Sequence, residues 1–182
     1  MQGTKYLGEI IKEEGIELGS NTLIVAPVGS GKTYYILNEL VPQSKRVLYL
    51  CDNGNLKSQV EKDSDKAGIK DMICKFDVLS YKAFGMKVKN DTLNKFIKQY
   101  DMIICDEVHN LLDYQSFKKD GDLLVARIKL FDRYEHTKIV FFTATPYYLD
   151  QLAKDNKDLG SYFTTYDFTK HPNINRYIEK RK

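Results

Sequence analysis

Short apolar runs alternate along the chain with stretches in which apolar residues recur at helical spacing. The apolar runs lie at 22–25, 46–51, 75–79, 102–105 and 139–142. Runs of this length, bounded by polar turns, are typical of strands that are buried on both faces of a parallel sheet. Parallel strands need crossover connections, which are usually helices. The pattern therefore predicts an α/β fold in which a parallel β-sheet is sandwiched between helices.

The stretches between the runs predict the helices. Tyr6, Leu7, Ile10 and Ile11 predict an amphipathic helix over 5–14. Another stripe of apolar residues, at i, i+3, i+4 and i+7, is formed by Leu93, Phe96, Ile97 and Tyr100. We also expect helices over 34–41, over 56–62 and from Leu124 to Phe131, a surface connection at 63–71 and a loop at 86–91.

Composition adds limits but no function. With 182 residues, 42% of them hydrophobic and 29% charged, the chain has room for one α/β domain of ordinary soluble composition. A net charge of +3 is too small to indicate a nucleic-acid partner by itself. The sequence has no membrane-length apolar run and no signal-peptide pattern, and its three cysteines have no CxxC spacing. We therefore expect a cytoplasmic protein with reduced thiols, no membrane partner and no zinc site.

Polar motifs begin where the apolar runs end. They are the stretch 26–33, a turn at Asp52, a turn at Ser80, the stretch 106–109 and the stretch 143–146. The carboxyl ends of parallel strands meet at one edge of the sheet, which is where open α/β sheets bind ligands. The order of the motifs therefore predicts a site, or a row of contacts, along that edge.

The stretch 26–33 reads Ala-Pro-Val-Gly-Ser-Gly-Lys-Thr and lies between a predicted strand and a predicted helix. In that context it predicts a loop that binds phosphate, with Lys32 on the β and γ phosphates and the Thr33 hydroxyl on Mg²⁺. The alternative is a glycine-rich turn with an incidental Lys-Thr. The residues predicted to bind the nucleotide here are Pro27, Val28, Gly29, Ser30, Gly31, Lys32, Thr33 and Tyr34.

Two adjacent carboxylates follow the fourth apolar run. In a nucleotide hydrolase, Asp106 would hold Mg²⁺ together with Thr33, and Glu107 would orient or deprotonate the attacking water. The alternative is a solvated turn or a helix N-terminus. His109, read alone, is a surface or capping residue, but with the hydroxyls of Thr143 and Thr145 it forms a group able to exchange hydrogen bonds.

Taken in order, the stretches 26–33, 106–109 and 143–146 resemble motifs I, II and III of superfamily 2 helicases and translocases. The resemblance is to the first RecA-like domain and extends to about Leu152. It implies ATP and Mg²⁺ as cofactors and a P-loop NTPase fold. It also implies catalytic roles for Lys32, Thr33, Asp106 and Glu107, and a coupling role for His109, Thr143 and Thr145.

The resemblance also implies contacts with nucleic acid. Asn55 and Lys57 lie where the family contacts the backbone of the strand, although a solvated turn is an equal alternative. Ser80 and Tyr81 resemble the next strand-contacting motif, in which Ser80 would contact a phosphate and Tyr81 a sugar or base. The alternative is that Tyr81 and Phe84 anchor a helix to the core. The sequence Thr-Ala-Thr-Pro resembles DNA motors more than RNA helicases, which favours DNA over RNA.

The domain organisation that the resemblance implies is a first lobe over 1–155 and a tail, or the start of a linker, over 156–182. Gln2 is a candidate for adenine recognition, with an unordered terminus as the alternative. A second RecA-like lobe, in the same or a partner chain, is expected to complete the motor. Two other hypotheses remain: a P-loop ATPase that moves no strand, and a binding module without turnover of its own.

Overall fold

The computed structural model describes residues 4–72, 74–112, 121–145 and 163–176. Within them, six strands form one sheet in which every pairing is parallel, in the order β3-β2-β4-β5-β1-β6. The strands are β1 (Thr22–Val25), β2 (Arg46–Cys51), β3 (Lys75–Ser80), β4 (Met102–Cys105), β5 (Lys138–Thr143) and β6 (Thr164–Asp167). The predicted parallel sheet is confirmed.

Helices cover both faces of this sheet. They are α1 (Leu7–Glu13), α2 (Lys32–Tyr35, continued by a π-helical turn at Ile36–Leu40), α3 (Gly54–Lys66), α4 (Tyr81–Val88), α5 (His109–Leu112) and α6 (Gly121–Leu130). Short 3₁₀ turns follow at Val41–Gln43, Ile69–Asp71 and Ile97–Gln99. One core cluster packs α1 and α2 against the sheet, and a second packs α4 and α6 against the opposite face. The predicted sandwich of sheet and helices is therefore confirmed.

The predicted helix between residues 93 and 100 is wrong. Asn94 has a left-handed backbone, with φ of 54°. The carboxylate of Asp91 accepts a hydrogen bond from the backbone N–H of Phe96 at 2.6 Å. Both features interrupt a helix, because a left-handed residue breaks its geometry and a side-chain acceptor competes with its backbone. The apolar stripe is still buried at Ile97 and Tyr100.

Two stretches predicted to be irregular are helical. Helix α4 extends through Val88, so that it includes the first part of the expected loop at 86–91. Helix α3 runs four residues past Lys62, to Lys66, and the chain then makes the 3₁₀ turn at Ile69–Asp71. Charged residues fill the exposed face of α3, and in sequence such a run has the same pattern as a solvated surface connection.

The strand β6 was not predicted. Its sequence, Thr-Thr-Tyr-Asp, is polar and mostly exposed, because among the described strands it lies at the edge of the sheet and pairs with β1 alone. It lies within the stretch 156–182 that the sequence pattern assigned to a tail or linker. Beyond it, Phe168 and Ile174 are buried and Ile174 bridges to Lys5. The domain boundary at residue 155 stays a prediction.

Among the described residues, none of the helices combines the length and the apolar character needed to cross a lipid bilayer. Gln2 and Pro146 lie outside the described residues. So does the stretch around Leu149 and Leu152, where the apolar spacing predicts one more short helix.

Candidate active site

The loop 26–33 leaves the carboxyl end of β1 and turns directly into α2. Gly29 and Gly31 both have left-handed backbones, with φ of 82° and 83°. A Cβ at Gly31 would also lie only 2.9 Å from Cδ1 of Tyr6. Glycine is needed at Gly31 for two reasons, since the conformation disfavours other residues and the neighbouring ring leaves no space.

Backbone hydrogen bonds hold this loop in shape. The carbonyl of Ser30 accepts from the N–H of Leu7 at 2.8 Å, and the carbonyl of Gly31 accepts from Tyr35 at 2.9 Å. Ser30 is fully buried, and its Oγ has no hydrogen-bond partner among the described residues. A buried hydroxyl without a partner is costly unless a ligand or water satisfies it. The loop therefore contains a buried hydroxyl that a small polar partner such as water would satisfy.

The loop borders a depression of about 310 Å³. Its lining residues are Pro27, Val28, Gly29, Gly31, Lys32, Thr33, Tyr34, Glu107 and Ala144. A larger groove, of about 870 Å³, follows the edge strand β3. The smaller depression is the better candidate, because it joins the residues of three motifs whereas the groove along β3 contains none of them.

Lys32 lies between the two carboxylates that follow β4. Its Nζ is 3.2 Å from Oδ1 of Asp106 and also pairs with Glu107. Burial alone would lower the pKa of Lys32, but the two carboxylates outweigh it and raise the pKa above its ordinary value of 10.5. The side chain is 12% exposed and stays charged at neutral pH. The predicted convergence of Lys32, Asp106 and Glu107 is present in the structure.

Asp106 is the first residue after β4 and is held on every side. Its N–H donates to the carbonyl of Leu50 at 2.9 Å. One carboxylate oxygen accepts from the hydroxyl of Tyr49 at 2.5 Å, and the other accepts from the N–H of Glu107 at 3.0 Å. The hydroxyl of Tyr81 donates to its carbonyl at 2.8 Å. A carboxylate restrained in this way presents its oxygens in a defined direction.

Glu107 has a left-handed backbone, with φ of 49°, which is unusual for a residue with a side chain. Its Oε2 lies 3.3 Å from Nδ1 of His109 and accepts from the N–H of Ala144 at 3.3 Å. Burial alone would raise the pKa of Glu107, but hydrogen bonding from His109 and the charge of Lys32 lower it to about 2. Strained backbone at an ionised carboxylate is typical of a functional site.

A short chain of contacts joins the ends of β4 and β5. Nδ1 of His109 lies 2.9 Å from Oγ1 of Thr143, and this hydroxyl accepts from the N–H of Thr145 at 3.1 Å. The three residues expected to form the coupling group are therefore in contact. They also touch Glu107, because Nδ1 of His109 is shared between Thr143 and that carboxylate.

These motifs match a known family. The family described as the res subunit of type III restriction enzymes matches residues 6–148. This chain belongs to that family. The family is a helicase superfamily 2 N-terminal RecA-like domain, so the resemblance drawn from the sequence is confirmed, as is the RecA-like P-loop fold. A comparison with curated proteins finds no match.

Membership of the res-subunit family makes this a helicase-like ATP-binding domain, and such domains typically bind ATP with Mg²⁺. The residues present fit both ligands. Carboxylate and hydroxyl oxygens, as at Asp106 and Thr33, suit Mg²⁺, which binds through one or two protein groups and the phosphates. Within the described residues, no cluster of three or more His, Cys, Asp and Glu side chains could hold a metal without such help.

The residues expected to contact nucleic acid differ in their exposure. Tyr81 is only 1% exposed, and its ring packs in the core beside Phe84. It cannot reach a sugar or base, so the expected contact is wrong and the alternative interpretation as a helix anchor matches its burial. Ser80 caps α4, because its Oγ accepts from the N–H of Ala83 at 3.2 Å. Asn55 is exposed at the start of α3, and Lys57 lies near Glu61 at 3.7 Å.

Tyr49 was missed by the sequence reasoning. It lies inside an apolar run, where a tyrosine is most simply interpreted as core, and it belongs to no motif. The signal that could have found it is register: β2 pairs with β4 so that Leu50 is opposite Cys105. A long side chain one residue earlier on β2 can therefore reach the residue that follows β4.

Proposed function

We propose that the domain is the ATP-hydrolysing lobe of a motor that moves on nucleic acid. The observation that carries this proposal is the convergence of the loop 26–33, Lys32, Asp106 and Glu107 on one edge of the sheet. A phosphate loop, a group for the metal and a group for the water are the parts that phosphoryl transfer requires.

The nucleotide is held chiefly by the loop and Lys32. Lys32 pairs with the carboxylates of Asp106 and Glu107. To contact a phosphate, its ammonium group exchanges carboxylate oxygens for phosphate oxygens. Thr33 and Asp106 would hold Mg²⁺, which would supply positive charge to balance the charge that develops on the phosphates. Val28 within the loop and Tyr34 directly after it are largely exposed, and they can border the rest of the nucleotide. Gln2 remains the candidate for adenine.

Glu107 orients the attacking water. With a pKa of about 2 it is ionised at neutral pH but is a weak base, so it acts first as a hydrogen-bond acceptor. Transfer of Lys32 to phosphate removes one of the causes of the low pKa. The carboxylate therefore becomes more basic when substrate is in place, which suits a group that accepts the proton of the water.

The contact of Glu107 with His109 supports a coupling role for the group at the ends of β4 and β5. Loss of the γ phosphate changes the partners of Glu107, and the change reaches Thr143 and Thr145 through His109. A hydrogen-bond network with two arrangements is the kind of element that converts hydrolysis into movement.

The proposed partners are nucleic acid, with DNA favoured, and a second RecA-like lobe. Asn55, Lys57 and Ser80 lie at the same edge of the sheet as the nucleotide site and are the proposed contacts with the strand. A second lobe closes over the nucleotide and excludes water, which strengthens the electrostatic interactions in the site. The proposed location is the cytoplasm, which the free thiols of Cys51, Cys74 and Cys105 support.

The test is ATP turnover measured alone, with single-stranded DNA and with RNA, in the presence of the second lobe. We expect stimulation by a strand, loss of turnover in Lys32→Ala and Glu107→Gln, and normal turnover in Lys12→Ala, which removes an exposed lysine of α1. Turnover that no strand stimulates would favour the non-translocating ATPase. Binding of ATP without turnover would favour the binding module. Strand-stimulated turnover retained in Glu107→Gln would contradict the role of that residue.

A further inference from the structure

The hydroxyl of Tyr49 is buried directly beneath the active-site edge of the sheet. The residue lies on β2, is 0% exposed, and donates to Oδ2 of Asp106 at 2.5 Å. Hydrogen bonds from a hydroxyl to a carboxylate are short and strong because the acceptor is charged. The hydrogen bond joins β2 to the residue that follows β4, and Tyr49 itself belongs to none of the sequence motifs.

The other atoms of Asp106 are also engaged. Oδ1 accepts from the N–H of Glu107 at 3.0 Å and lies 3.2 Å from Nζ of Lys32. The carbonyl of Asp106 accepts from Tyr81. Tyr49 is therefore the group that holds Oδ2, and its bond sets the rotation of the carboxylate about its own axis.

The ring of Tyr49 has no freedom to move away. It packs edge-on against Phe76 of β3, with ring centroids 6.3 Å apart and planes at 68°. Its hydroxyl is therefore held in place as a donor to the carboxylate of Asp106.

We propose that Tyr49 is a positioning residue for the metal site: it holds Oδ2 of Asp106 so that the carboxylate is oriented toward Mg²⁺. This inference rests on the proposed function, because it assigns Asp106 to the metal. Groups that orient metal ligands in this way typically change metal affinity or activity by about 10- to 100-fold when they are removed.

The test is Tyr49→Phe, which removes one oxygen and keeps the ring and its packing. The matched control is Tyr100→Phe, because Tyr100 is also buried and donates its hydroxyl to a carboxylate, Asp77, at 2.8 Å, but away from the site. The affinity for ATP is measured by calorimetry with Mg²⁺ and again with EDTA. Thermal melting of both variants checks that the fold is kept.

The quantity compared is the ratio of the ATP affinity with Mg²⁺ to the ATP affinity with EDTA. We expect this ratio to be about 10- to 100-fold smaller in Tyr49→Phe than in the wild type, while the affinity in EDTA is unchanged. Tyr100→Phe should behave like the wild type in both conditions. Turnover of Tyr49→Phe should recover at high Mg²⁺ concentration. An equal loss with Mg²⁺ and with EDTA would mean a structural role and would overturn the inference, as would an unchanged gain from Mg²⁺. Failure of the proposed function is distinct from both: if Asp106 does not serve the metal, the wild type itself gains no affinity from Mg²⁺, and if the domain is not a motor, the wild type gains that affinity but shows no strand-stimulated turnover.

Discussion

Glu107→Gln should destabilise the fold in a way that depends on pH. The carboxylate of Glu107 pairs with Lys32 and accepts the N–H of Ala144. Hydrogen bonding from His109, together with the charge of Lys32 and the bond from Ala144, outweighs the cost of burial and places the pKa at about 2 in the folded protein, against an ordinary value of 4.5. The amide in the variant has almost the same shape but cannot carry the charge, so Asp106 is the anionic partner that Lys32 keeps among the described residues.

The size of the effect follows from the two pKa values. Because the pKa is lower in the folded state, the stabilisation is fully present above about pH 4.5 and is lost as the pH falls through about 2. A shift of this size corresponds to roughly 3 kcal/mol at pH 7 and roughly 1 kcal/mol at pH 3. The Glu107 side chain is 26% exposed, so solvent screening makes the value at pH 7 an upper limit.

Urea unfolding at several pH values between 7 and 3 measures this difference. We expect the wild type to exceed Glu107→Gln in the free energy of unfolding at pH 7, with the gap constant down to about pH 5 and narrowing below it. Glu61→Gln is the control, since that side chain is exposed and its pairing with Lys57 is worth at most about 1 kcal/mol. A gap that does not change with pH would refute the reasoning.

Three further predictions concern the loop, the coupling group and the end of the domain. Gly31→Ala should lower the free energy of unfolding by about 1–2 kcal/mol, because Gly31 has a left-handed φ and a Cβ there would meet the ring of Tyr6. Gly54→Ala in α3 is the control and should not lower it, since no atom of the described residues lies near a Cβ at that position. Chemical denaturation of the two variants measures the difference. Thr143→Val removes the hydroxyl that contacts His109, so we expect basal ATP turnover to remain and stimulation by a strand to fall; equal loss of both would contradict a coupling role. A chain ending at residue 155 should melt at a lower temperature than one ending at 176, because it lacks β6 and the buried Phe168, whose burial alone contributes about 2 kcal/mol; equal melting temperatures would contradict this.

The sheet was largely predictable because its strands are buried on both faces. Such strands are continuous apolar runs, and 22–25, 46–51 and 102–105 match the observed strands at both ends. The strand β6 is an edge strand with three of its four residues exposed. Nothing in its hydrophobic pattern separates it from a loop, and its place in the sheet depends on pairing with β1 rather than on its own composition.

The candidate site was predictable where chemistry limits the choice of residue. A phosphate loop needs glycine at Gly31 and a cation at Lys32. Both residue types were therefore readable from the sequence, and both have the expected place in the structure. Tyr81 shows the opposite case, because an aromatic residue after a strand fits a contact surface or a core equally well. Its companions at helical spacing, Phe84 and Val88, are both buried, and that stripe was the signal for burial.

Tyr49 lay beyond sequence reasoning for a different reason. Its role depends on which strand is adjacent to β4, and the order of strands in the sheet is not the order in the chain. The hydroxyl becomes meaningful only when β2 and β4 are paired in register.

The central claim is that a triphosphate binds along the edge of the sheet formed by the loop 26–33 and the two carboxylates after β4. A crystal structure with Mg²⁺ and a non-hydrolysable ATP analogue tests it most directly. The account predicts that the phosphates lie on the loop, with Lys32 moved from Glu107 to a phosphate oxygen and with Mg²⁺ beside Thr33 and Asp106. Phosphates bound elsewhere, or Lys32 still paired with Glu107 while the analogue is bound, would contradict it.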